Sequence, residues 1–60
     1  MRLYTITVNN YQKGRYLPLY ESWIISVEKI DRSHHKVVFK IDESEKKLIE
    51  KRFNKKMQPC

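Results

Sequence analysis

Positions 3–8 alternate strictly, with Tyr4, Ile6 and Val8 on one face and Leu3, Thr5 and Thr7 on the other. A period of two built from β-branched and aromatic residues predicts a strand over residues 1–9. Asn9-Asn10 and Gly14, the single glycine, then supply turn signals. Residues 15–20 read as extended. Pro18 cannot donate to a ladder, which places that stretch on a sheet edge or in a loop. A second strand is predicted over 22–30, with Trp23, Ile25 and Val27 on one face and Ile24 and Ile30 on the other. Asp31-Arg32-Ser33-His34 is turn-like. The alternation returns over 36–41, where Val37, Phe39 and Ile41 oppose Lys36, Val38 and Lys40. The pattern predicts a hairpin joining 22–30 to 36–41.

The period then changes. Asp42 followed by Glu45 has the residues of a capping box, and Glu43 adds an acid to the first turn. A helix is predicted from there to about residue 57, because Ile49, Phe53 and Met57 recur every fourth position beside Leu48. Pro59 stops further continuation. The expected fold is α+β: a three-stranded antiparallel sheet with one C-terminal helix packed on one face. Its stripe is expected to cover Tyr4, Ile6, Val27, Val37 and Phe39. Residues 1–57 form one domain in this reading, with 58–60 a frayed tail. The architecture is similar to that of small modules that lay a sheet in the DNA major groove, although no motif is shared.

Sixty residues give little core, since a chain of this size buries only about 60% of its unfolded surface. Cys60 is the only cysteine, so no internal disulfide can reinforce it. The lone thiol fits a reducing compartment, and the cytoplasm is the expected location. No apolar run approaches a membrane span of about 20 residues. No zinc-ligand spacing, phosphate-binding loop or dinucleotide fingerprint is present, so neither metal nor cofactor is expected. Asp31, Ser33 and His34 lack the converging geometry and pocket of a catalytic triad. Adjacent His34 and His35 point to opposite faces of a strand. No catalytic residue is assigned.

Charge changes the picture most. The chain carries a net +6, distributed as +3 over residues 1–19, −2 over 20–45 and +5 over 46–60. This sorting creates a local positive field that favours a polyanion or an acidic protein surface. On the predicted helix, Lys47, Lys51 and Lys55 form one row and Arg52 and Lys56 a second, both placed to follow phosphates. A solvated lysine-rich face is the plain alternative. Upstream, Lys13, Arg15 and Tyr16 lie within a tyrosine-rich stretch, Tyr11 to Tyr20, in which rings can stack on bases while cations hold phosphates. Tyrosines half-buried in strands account for the same composition. Finally, Ile24, Ile30 and Val38, with Leu3, are expected on the sheet face away from the helix. There they would form an apolar protein interface or homodimer contact, unless a bulge near Ser26 turns some of them inward.

The leading expectation is a non-enzymatic nucleic-acid-binding protein, for DNA or RNA, acting through the basic helix and the aromatic loop. The alternative is a small protein-binding inhibitor or adaptor, of the type phages and other mobile elements direct at a host enzyme or defence complex. Under that alternative it docks on an acidic surface or pairs as a homodimer.

Overall fold

The computed structural model describes residues 1–59; Cys60 lies outside them. The alternating N-terminal segment forms β1 (Arg2–Asn9), which pairs antiparallel with β3 (His34–Ile41) in the register Tyr4 opposite Phe39 and Ile6 opposite Val37. The predicted hairpin is present, with β2 (Ile24–Lys29) antiparallel to β3. A short β4 (Gln58–Pro59) adds to the far edge of β1 through Tyr4 and Thr5. The sheet therefore has four strands in the order β2-β3-β1-β4, where three were expected. Gln58 and Pro59, read from sequence as a frayed tail, are paired.

A larger correction concerns residues 10–23, which are helical where turn signals around Asn10 and Gly14, an extended stretch over 15–20 and the start of the second strand at 22 were expected. Helix α1 (Asn10–Tyr16) starts at a complete capping box. The Gln12 N–H donates to Asn9 Oδ1 at 2.7 Å, and the Asn9 N–H donates to Gln12 Oε1 at 3.1 Å. These two bonds satisfy donors that a helix start otherwise leaves unpaired. A 3-10 segment (Leu17–Trp23) follows, with Pro18 in its first turn and a kink at Tyr20. Proline suits that position because its missing N–H would have had no partner there.

The C-terminal helix α2 (Glu43–Phe53) begins as predicted, with the Asp42 N–H donating to Glu45 Oε1 at 2.9 Å. It ends four residues early. Asn54 adopts the left-handed conformation (φ 55°) and closes the helix through its N–H to the Glu50 carbonyl. Glu50 also accepts from the Met57 N–H at 2.8 Å. That bond folds the chain back so that Met57 enters the core.

Both helical segments lie on one face of the sheet. Tyr4, Ile6 and Val8 of β1 and Val37, Phe39 and Ile41 of β3 meet Leu17, Ile49, Phe53 and Met57 there. The expected cover holds for Tyr4, Ile6, Val37 and Phe39, whereas Val27 stays 42% exposed on the edge strand. Ile24 departs from expectation more sharply. A register shift between Ile24 and Ser26 places Ile24 opposite Phe39, so it packs against the core. An inserted residue reverses the side-chain parity of a strand, and a period-two reading carried through it assigns the wrong face. The opposite face, with Leu3, Thr5, Lys36, Val38 and Lys40, carries no helix.

Candidate nucleic-acid interface

Asn10 fixes where α1 sits. Its side-chain amide donates to the Arg32 carbonyl at 2.9 Å, and its oxygen receives the Nε2–H of His35, also at 2.9 Å. His35 is buried, so this bond ties the first turn of α1 to the start of the interior strand β3. No α1 residue is itself buried. Tyr16 packs half-buried against the core, while Tyr11 and Arg15 stay exposed.

Phe53, buried at the end of α2, joins the two helices. Tyr16 meets it edge-on at 5.2 Å between ring centroids, and Tyr20 lies at 6.5 Å on the other side. Tyr11 continues the row beyond Tyr16 at 6.4 Å, and Trp23 stacks on Tyr20 at 5.5 Å. Five of the seven aromatic residues thus form one chain: Tyr11, Tyr16, Phe53, Tyr20 and Trp23. Two arginines lie over it. The Arg15 guanidinium is 5.9 Å from the Tyr11 centroid, and that of Arg52 is 5.9 Å from Tyr16. Both are within the range of cation–π attraction. Arg52 Nε also donates a long hydrogen bond, 3.4 Å, to the Tyr20 hydroxyl. The Tyr20 hydroxyl foremost, and more weakly Tyr16, raise the guanidinium pKa above its ordinary value.

Tyr16, Tyr20, Leu48, Lys51 and Arg52 line a groove of about 580 Å³. Among the described residues, no carboxylate pairs with Lys51, Arg52, Lys47 or Arg15; the ion pairs are Met1 with Asp42, His34 with Asp31, and Lys46 with Glu50. This leaves a cluster of uncompensated cations beside aromatic rings.

The fold therefore brings together Tyr16, Lys51 and Arg52, with Arg15 at one end and Lys47 exposed on the outer side of α2. It sets Lys13 apart and leaves Lys55 and Lys56 at the end of α2, lining a second recess with Lys51. Lys13 lines a different recess with Leu17, Pro18, Glu21, Ile24 and Val27. Lys55 and Lys56 lie beyond the end of α2, so the two predicted helical rows are cut short. Lys55 Nζ donates to the Thr7 carbonyl at 2.9 Å, closing part of the β1 edge that β4 leaves open. Sequence reasoning placed Tyr20 in the aromatic stretch but assigned no site role to Trp23 or Leu48. Leu48 was placed in the core stripe, yet it is 60% exposed at the groove.

The predicted interface residues also part company. Ile24 is half-buried on the helical side, Val38 is half-buried on the outer face, and Ile30 is 55% exposed beyond the end of β2. In the Asp31 turn, the carboxylate accepts from the Ser33 N–H at 2.7 Å and the His34 N–H at 2.9 Å, and lies 3.1 Å from His34 Nδ1. Those bonds, the Ser33 N–H foremost, hold Asp31 below the ordinary carboxylate pKa. Among the described residues no three His, Cys, Asp or Glu side chains gather in a metal-binding arrangement. No helix among them is long and apolar enough to cross a membrane. Compared with known protein families, curated proteins and solved structures, the chain has no match.

Proposed function

We propose that this chain is a small, non-enzymatic nucleic-acid-binding module of the cytoplasm whose contact surface is the seam between α1 and α2. One observation carries the reading: Arg52, lying over the Tyr16 ring and bonded to Tyr20, stands beside Lys51 in an open groove with no carboxylate partner among the described residues. Holding a cation over an aromatic ring limits its rotamers, so less freedom is lost when it meets a phosphate. Arg15 and Lys47 extend the positive surface on either side. Lys55, tied to a backbone carbonyl, is left out of the contact set.

Light-scattering mass of the protein with mixed DNA and RNA, at low and moderate salt, tests the proposal. Four phosphate contacts predict a log–log salt slope of about −3 to −4. A mass that stays unchanged at low salt overturns it.

A second reading, docking on a protein partner, is favoured by the aliphatic edge strand. Ile25 is 54% exposed there and Ile30 55%. Ile25→Asp should abolish such an interface and leave nucleic-acid binding intact; retained capture of a partner by that variant removes the reading.

A further inference from the structure

Granting that the α1–α2 seam binds nucleic acid, we infer that its ligand is single-stranded, with an unpaired base stacking on Tyr11 and the neighbouring phosphates meeting Arg52 and Lys51. Tyr11 is 65% exposed on a helix with no buried residue, so core packing does not explain an aromatic ring there. Arg15 lies over that ring at 5.9 Å, and Tyr16 braces it edge-on at 6.4 Å. A braced, largely exposed ring with an attached cation suits a nucleobase face, because stacking tolerates any base while the cation holds the backbone.

The geometry is a poorer match to a duplex. Bases inside a double helix present edges rather than faces, and those edges are read by side chains projecting into a groove. A duplex reading needs a long basic ridge on α2. The helix stops at Phe53, and Lys55 and Lys56 follow its left-handed Asn54 cap, Lys55 with its Nζ on the Thr7 carbonyl. Lys47 and Lys51 alone remain in the lysine row. By contrast, the aromatic row extends unbroken from Tyr11 through Tyr16 and Phe53 to Tyr20. A strand with free bases can use the exposed part of that row together with the groove cations.

Fluorescence anisotropy with a labelled 20-nucleotide single strand and the matching duplex, each at low and moderate salt, reads the distinction. The single strand is expected to bind at least about tenfold tighter. Tyr11→Ala should weaken single-strand binding by about 5- to 100-fold, the range of one lost base stack, and leave duplex binding unchanged. Tyr11→Phe should retain single-strand binding, since the ring rather than the hydroxyl is used. Equal affinity for both forms, or indifference of the single strand to Tyr11→Ala, overturns the inference while nucleic-acid binding itself stands. Binding of neither form overturns the function on which it rests.

Discussion

Along the seam between α1 and α2, exposed Tyr11, half-buried Tyr16 and Tyr20 and several cations surround a single exposed aliphatic residue, Leu48; along β2 and its end the exposed apolar residues are all aliphatic, Ile25, Val27 and Ile30. The two regions also differ in charge. At the seam, Arg15, Lys51 and Arg52 lack carboxylate partners among the described residues. In the hairpin, Glu28 lies directly across from Lys36, an opposite-charge pairing that stabilises a sheet locally. Geometry adds a third contrast. The seam is an open groove, while the β2 edge is kinked by its register shift, a feature that discourages another strand from pairing with it. Among the described residues, uncompensated charge, exposed aromatic surface and a concave shape coincide at the seam. The aliphatic edge has the composition of an interface without the regular backbone that strand addition requires.

Deleting the side chain that supports the seam should have the largest effect. Phe53→Ala removes a buried ring shared by Tyr16 and Tyr20, at a cost of about 3–5 kcal/mol. That is comparable to the total a core of this size supplies, about 3–5 kcal/mol. The variant is expected to lose its cooperative urea transition at 25 °C. Val27→Ala, on the exposed edge, should stay within about 1 kcal/mol of the parent. Equal losses would break the distinction between a packed seam and a marginal edge.

Charge reversal is the next largest. Lys51→Glu with Arg52→Glu should reduce nucleic-acid affinity at least tenfold, about 1.4 kcal/mol, and flatten its salt dependence in the same anisotropy titration. Ile25→Asp should leave that affinity within about twofold. The reverse ranking would move the binding surface to the hairpin.

A smaller, stabilising effect is expected at Gly14. Nothing lies within 4 Å of where its Cβ would be, and its φ is not positive. Gly14→Ala should therefore raise stability by about 0.5–1 kcal/mol through the helix propensity of α1. Denaturant titration reads this directly, and a loss would mean that α1 is not helical.

The smallest is local to the hairpin turn. Asp31 has a depressed folded pKa, so its contribution is present above the ordinary carboxylate value and is lost as pH falls through the lower folded value. The Ser33 amide proton shift, followed by NMR, should titrate with a midpoint under 3.8. A midpoint above that value would contradict the hydrogen bonds of the turn.

Where side-chain burial is periodic, the fold was legible. Tyr4, Ile6 and Val8 and the Val37, Phe39 and Ile41 face announced β1 and β3, and the Asp42–Glu45 pair announced the start of α2. Where structure depends on capping or backbone irregularity, it was not. Because α1 buries no residue, it has no apolar period to detect; its signal was Asn9 followed by Gln12. Asn54 marked the end of α2, but the basic residues after it continued a helical-looking pattern. The break in alternation over 22–30 admitted a bulge near Ser26 but did not say which residues it turns inward, and two-residue β4 is too short to leave a pattern. Tyr16, Lys51 and Arg52 were each identifiable as candidates. Their meeting depends on Asn10 and His35 anchoring α1 beside α2, a long-range contact that spacing does not encode.

The most direct test is amide chemical-shift mapping of the isotopically labelled protein during titration with a single-stranded oligonucleotide at low salt. The account predicts perturbations concentrated in Tyr11–Tyr20 and Leu48–Arg52, with Ile25–Ile30 and Val38 unchanged. Perturbations centred on the hairpin, or none anywhere, would contradict it.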